Sequence, residues 1–165
     1  MRKFLLLFYA LLTLIISSCN KDDDAGYNPN DFEKRLEGSW NLQQIHYNTE
    51  IPDFSGGEPT QVDGKGQNVF GNITLNKNPN TFEYNFIFTA NLIGFPLPLV
   101  LGGSGTWTTY RDNSKVVLRD AQGEETVFLV LINESKRQVY STTLSQNLAG
   151  LYTVEIDLEL EFTRP

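Results

Sequence analysis

The sequence predicts an all-β protein, an eight-stranded antiparallel up-and-down barrel preceded by one short helix. From Tyr152 to Phe162, apolar residues alternate strictly with polar ones, which is the period of a strand with one buried and one wet face. A second alternating run extends from Phe82 to Leu92. The later connections are short and rich in Asn, Gly and Ser, as hairpin turns are. A long succession of hairpins closes most simply into a barrel, because closure removes exposed strand edges.

A short helix is expected just before the first strand. Asn30 or Asp31 is placed to cap its N-terminus, and Gly38 is placed to end it. Phe32 and Leu36 share one helix face, because side chains four positions apart lie above one another. The helix therefore has a single apolar stripe to bury against the barrel.

Eight strands are expected after this helix. They cover residues 38–48, 67–76, 82–92, 104–111, 115–120, 125–133, 137–145 and 152–162. The alternative architecture is a two-sheet sandwich, whose Greek-key connections need long crossovers. Only 49–66 and 93–103 are long enough for such crossovers, so the pattern favours the barrel.

Residues 1–18 have the features of a lipoprotein signal peptide. Arg2 and Lys3 give a positive start, and the uncharged stretch 4–16 is shorter than the about 20 helical residues that span a bilayer. Ile16-Ser17-Ser18-Cys19 resembles the lipobox of bacterial lipoproteins. The resemblance implies cleavage before Cys19 and attachment to a membrane through lipid on that residue. Two or more acyl chains hold a protein stably on a membrane, whereas one does not.

Residues 19–31 are expected to form an acidic, flexible tether ahead of a barrel domain at 32–165. The tether begins with Lys21 followed by three Asp residues, which resembles the export signals of some surface lipoproteins. No Asp directly follows Cys19, so the best-known signal for retention in the inner membrane is absent. By this resemblance the protein belongs in the outer membrane of a Gram-negative cell envelope, facing either the surface or the periplasm.

Composition argues against several classes of function. With 20 acidic against 13 basic residues and a net charge of −7, the chain is a poor candidate for a nucleic-acid-binding protein. One Cys and one His rule out a Cys-rich zinc site and a multi-His centre, so we expect neither metal nor cofactor. His46 lies in a strand, and no Gly-x-Ser-x-Gly motif accompanies it. We therefore expect no enzymatic activity.

The acidic residues of the last strand alternate with its apolar residues. The alternation therefore predicts that four acidic side chains point away from the core, those of Glu155, Asp157, Glu159 and Glu161. The pattern indicates a solvated outer face and not a catalytic pair of carboxylates.

An aromatic face is the strongest candidate for ligand binding. Phe82, Tyr84, Phe86 and Phe88 share one side of a strand, and together with Trp107 they are predicted to wall the barrel interior. An eight-stranded barrel encloses either a packed core or room for one small ligand. The sequence is compatible both with a packed core and with an interior that holds a ligand.

The segment 92–101 is almost wholly apolar and contains Pro96 and Pro98. Two prolines argue against a regular inner strand, because proline cannot donate to the ladder. The segment is expected to be a buried link, a lid over the barrel mouth, or an exposed patch for a protein partner.

A family resemblance joins these elements. A Gly-x-Trp motif, Gly38-Ser39-Trp40, opens the first strand directly after the helix. A second Gly-x-Trp motif occupies residues 105–107. The chain resembles the bacterial lipocalin-like lipoproteins over residues 32–165. The resemblance implies that Trp40 closes the barrel floor and that Arg164 packs on its ring through a cation–π contact. The aromatic face at 82–88 and the apolar segment next to it predict a small apolar ligand, such as a fatty-acid-like or other elongated compound. The alternative is an anchored structural or protein-interaction barrel with a packed core and no ligand.

Overall fold

The computed structural model describes residues 29–53, 55–110, 112–148 and 152–165. The predicted signal peptide, Cys19 and nearly all of the predicted tether lie outside the described residues. Helix α1 (Pro29–Leu36) is followed by the strands β1 (Gly38–Ile51), β2 (Thr60–Lys65), β3 (Gln67–Asn76), β4 (Thr81–Leu92), β5 (Phe95–Thr109), β6 (Lys115–Asp120), β7 (Glu125–Asn133), β8 (Arg137–Leu148) and β9 (Tyr152–Thr163).

The strands form one closed antiparallel sheet. From β3 to β9 each strand pairs with the next in the chain, and β9 returns to pair with β1. β2 and β3 pair along the same edge of β1, β3 with residues 38–41 and β2 with residues 46–51. Gly66, between them, donates its N–H to the carbonyl of Ile45 at 2.8 Å. β2 and β3 thus serve as one kinked strand of the wall, and the predicted eight-stranded up-and-down barrel is confirmed.

The connection at 49–66 is not the long loop expected from the sequence. β1 continues to Ile51, and Thr60–Lys65 returns alongside it as β2. The residues of β2 are polar and mostly exposed, and only Val62 packs against the core. Because β2 buries almost nothing, it lacks the apolar alternation by which strands are recognised.

The segment 92–101 also differs from expectation, since it forms a β-hairpin between β4 and β5. Its two prolines are tolerated because β5 pairs with β6 only over residues 105–109, which leaves the other edge of residues 95–104 without a strand. Pro96 lies opposite Asn91, whose own N–H points away from β5 and bonds elsewhere. The missing N–H of Pro96 therefore faces the free edge, where no ladder bond is lost.

Alternate residues of the strands point inward and fill the middle of the barrel. The largest fully buried side chains include Trp40, Phe86, Phe88 and Phe162. The Phe162 ring lies 5.5 Å from that of Phe86 and 5.7 Å from that of Tyr140, measured between ring centres. Such tilted ring pairs contribute beyond the apolar area that they bury. The central cross-section is thus a packed aromatic cluster.

Helix α1 covers one end of the barrel, which we call the floor. Trp40 is fully buried there, and its indole N–H donates to the carbonyl of Leu36 at 2.9 Å. The Arg164 guanidinium lies 4.6 Å from the centre of the Trp40 ring, in the arrangement that the family resemblance implied. Arg164 also donates to the carbonyls of Arg35 and Glu37, which are among the unpaired acceptors at the helix end.

Further side chains from the strand ends fix α1 in place. Gln138 is fully buried and donates to the carbonyl of Arg35 at 2.8 Å. Glu33 forms an ion pair with Lys77 at 2.6 Å and accepts a hydrogen bond from the Thr109 hydroxyl at 3.1 Å. The helix is therefore tied to the floor by contacts from several strands. No helix in the described ranges is long and apolar enough to cross a membrane.

Candidate ligand site at the barrel mouth

The aromatic residues singled out from the sequence lie in the packed interior. Phe82, Phe86, Phe88 and Trp107 are buried, and Tyr84 is half-buried. Ring centres are 5.9 Å apart between Phe82 and Tyr84 and 4.8 Å apart between Tyr84 and Phe86. The Trp107 indole N–H donates to a backbone carbonyl near the floor, that of Asn76, at 2.7 Å. The rings of Phe82, Tyr84 and Phe86 therefore form a stack, and none of the five aromatic residues lines the cleft described next.

A cleft of about 490 Å³ opens at the end of the barrel opposite the floor, which we call the mouth. It lies where β1, β4 and β8 end and where β2, β5 and β9 begin. Its lining is mostly apolar: Ile51, Pro52, Asp53, Thr60, Leu92, Ile93, Phe95, Pro96, Leu97, Asn147 and Tyr152. The apolar segment at 92–101 is thus the part of the sequence analysis that leads to this site.

The β4–β5 hairpin supplies one whole wall of the cleft. Leu92 is buried and Leu97 half-buried, so they form its base. Ile93 and Phe95 are 54% and 77% exposed and form its rim. Ile93 and Gly94 have φ values of 52° and 82°, as the two-residue type I′ hairpin turn requires. An isoleucine at positive φ is strained, because its branched side chain crowds the backbone.

The base of the hairpin is braced by a phenol in place of a strand. β3 pairs with β4 only as far as Thr89, so Asn91 has no backbone partner on that side. The Tyr47 hydroxyl donates to the Asn91 carbonyl at 3.1 Å and accepts from the Asn91 N–H at 2.9 Å. A side chain at Gly64 would bring its Cβ within 2.5 Å of that hydroxyl, so glycine leaves the space that Tyr47 needs.

Asp53 is the charged group of the cleft lining. Its Oδ1 accepts hydrogen bonds from the Ser55 N–H at 2.8 Å and from the Ser55 hydroxyl at 2.7 Å. These bonds hold the pKa of the Asp53 carboxyl below its ordinary value, so the group is ionised at neutral pH. A side chain at Gly57 would collide with the other carboxylate oxygen, so glycine at this position leaves room for the Asp53 side chain.

A smaller and more polar depression of about 240 Å³ lies on the outer face of β1 and β9. It is lined by His46, Asp157 and Glu159 among others. His46 shares a hydrogen bond with Gln44, and Asp157 accepts one from the Thr143 hydroxyl at 2.6 Å. Within the described ranges, no three or more His, Cys, Asp and Glu side chains are grouped to hold a metal ion.

Sequence reasoning missed Asp53, Asn147 and Tyr152 as members of one site. They come together only because the ends of β1, β8 and β9 meet at the mouth. No local motif marks them, because Asp53 is separated from Asn147 and Tyr152 in the sequence by most of the strands of the barrel. No protein-family model and no curated protein matches the chain.

Proposed function

We propose that this protein is a lipid-anchored, lipocalin-like barrel of the outer membrane that binds a small apolar ligand in the mouth cleft. The observation that carries the proposal is the cleft itself, with its buried apolar base and few polar groups. Its volume of about 490 Å³ lies in the range of small-molecule sites, about 300–1,000 Å³. A ligand there would contact Leu92, Leu97 and Tyr152 and not the packed rings of the interior.

The strained turn supports a binding role for the hairpin. Backbone strain at a non-glycine residue persists mainly at functional sites, where the surrounding structure or a ligand compensates for it. Ile93 combines positive φ with an exposed apolar side chain at the rim of the cleft. Asparagine would satisfy the turn better, so the isoleucine is best explained by the surface that it offers.

The lipocalin-like and lipoprotein parts of the proposal rest on the sequence and on the floor. The lipobox-like residues before Cys19 support a lipid anchor, and the tether supports outer-membrane localisation. Closure of the floor by α1, Trp40 and Arg164 supports the lipocalin resemblance. The proposed function includes no catalysis, which agrees with the outward position of the acidic residues of β9, none of which is buried.

Thermal unfolding in the presence of apolar compounds tests the proposal. A ligand that binds only the folded state stabilises it by about 2.7 kcal/mol at a hundred times its Kd, and the melting temperature rises. Leu97→Asn places an amide in the apolar wall and should weaken binding about ten-fold. Val100→Asn is the matched control, since Val100 lies on the outer face of the same strand. Equal melting shifts in both variants, or no shift with the native chain, would contradict the proposal.

A second candidate function is an interaction barrel that holds no ligand. The packed interior and the exposed Phe95 and Val100 in segment 92–101 favour it. A photo-crosslinking residue at Val100 should then join the protein to one discrete partner in cells, whereas the same residue at Glu159 should not. A discrete product at both positions, or at neither, argues against this candidate.

A further inference from the structure

We propose that the mouth cleft selects its ligand by charge: it takes apolar compounds whose polar end is a cation and discriminates against carboxylates. Asp53 is the selecting residue. The inference rests on the proposed function, because it names the ligand class of the same site. It replaces the fatty-acid-like ligand implied by the sequence with an amine of similar apolar body.

The argument begins with the charges that line the cleft. Among the described residues of the lining, Asp53 carries a negative charge and none is Lys, Arg or His. The remaining lining is hydrocarbon, apart from the neutral groups of Thr60, Asn147 and Tyr152. An anionic head group would therefore meet a like charge with no cation to offset it. The net charge of the whole chain, −7, has the same sign.

The charge on Asp53 is also fixed in position. Two donors from Ser55 hold Oδ1, and Gly57 lies close to the other carboxylate oxygen. A carboxylate held in this way cannot swing away from an approaching anion. The Asp53 side chain is exposed to solvent, so water and salt screen its charge in part, but it lies in the cleft lining and its field still acts on a charged group bound there.

A second Asp in the chain provides a matched control. Asp112 accepts the same pair of hydrogen bonds, from the Ser114 N–H at 3.0 Å and the Ser114 hydroxyl at 2.7 Å. It lies in the β5–β6 connection at the floor, the opposite end of the barrel from the cleft. Asp112→Asn therefore removes the same charge from the same kind of turn, far from the ligand.

The experiment compares octylamine, 1-octanol and octanoate, which share one alkyl chain and differ in charge. Their Kd values are measured by calorimetry at low salt for the native protein, Asp53→Asn and Asp112→Asn. We expect the amine to bind most tightly and the acid least, with a ratio on the order of two- to twenty-fold, as a charge near the surface allows. Asp53→Asn retains an amide oxygen for Ser55 but loses the charge, so the ratio should fall towards one. High salt should reduce the ratio in the native protein.

The outcomes separate the two proposals. Binding of none of the three compounds overturns the proposed function and this inference with it. Similar binding of all three, or an unchanged ratio in Asp53→Asn, leaves the site standing and overturns charge selection. A ratio that falls equally in Asp112→Asn overturns the role of Asp53, because the net charge of the chain would then be responsible.

Discussion

Ile93 is an unusual residue to find at a positive φ angle in this protein. Among the described residues, four non-glycine positions have positive φ, and the other three are Asn68, Asn78 and Asn113. Asparagine adopts this region at low cost, because its short polar side chain bonds locally, whereas a β-branched side chain does not. The isoleucine at the rim of the cleft therefore lowers the free energy of unfolding relative to an asparagine at the same position.

We predict that Ile93→Asn stabilises the protein by about 1 kcal/mol, through relief of backbone strain. The same change should weaken binding of an apolar ligand, because it removes part of the rim. Urea unfolding and ligand titration measure the two effects. The converse variant Asn68→Ile introduces the strain elsewhere and should lower the free energy of unfolding. A loss of stability in Ile93→Asn would show that the side chain packs more than it strains.

At the scale of elements, one aromatic side chain of β1 contributes to the floor, beside several other contacts, and another braces the hairpin base. Trp40 links α1 to the barrel, and Tyr47 replaces a missing strand beside β4. Both residues lie on β1, at opposite ends of the barrel. The two ends can therefore be weakened separately by substitutions in the same strand.

We predict that Trp40→Ala lowers the free energy of unfolding by about 3–5 kcal/mol, as deletion of a large buried aromatic side chain does. Arg164→Ala should cost less, about 1–2 kcal/mol, because the exposed side chain loses a cation–π contact and two hydrogen bonds to carbonyls that water can then reach. Denaturant unfolding measures both changes. Equal costs for the two variants would show that the floor depends on Arg164 as much as on the indole.

We predict that Tyr47→Phe lowers the free energy of unfolding by about 1–3 kcal/mol, since it leaves both backbone groups of Asn91 without their partner. Hydrogen exchange at the Asn91 amide should accelerate in this variant. Exchange at Phe86 in the middle of β4, which keeps its strand partners, is the internal control. Uniform acceleration along β4 would indicate a global effect and not loss of a local brace.

The sequence predicted the elements that bury an alternating face and missed those that do not. β4 and β9 show long alternation and lie where it indicates. β2 buries little, and residues 95–103 of β5 contain prolines that only an unpaired edge accommodates. Whether the ligand site lies inside the barrel or at its mouth could not be predicted from the sequence. Apolar side chains alternate in the same way along the strands of a packed barrel and of a hollow one. The summed volume of rings such as Phe86, Phe88 and Phe162 decides between the two.

For the whole molecule, the proposed anchor and the folded barrel are separable. We predict that Cys19→Ala abolishes membrane attachment and leaves the fold of the barrel domain unchanged, because lipid is the proposed attachment and residues 32–165 bury their own core. Fractionation measures attachment, and circular dichroism of the purified variant measures the fold. Recovery of the variant with washed membranes, while exported soluble proteins are removed, would contradict the prediction.

The position of α1 has a consequence for the direction of access. The chain enters the barrel through α1 at the floor, while the cleft opens at the opposite end. The proposed anchor at Cys19 lies upstream of α1, so the point of attachment is at the floor end of the barrel and the cleft is at the far end from it. A ligand would then arrive through the aqueous phase and not sideways from the surrounding leaflet. The protein would sample dilute solutes at a distance from the membrane that holds it, and the membrane's own lipids would have to leave the bilayer to compete.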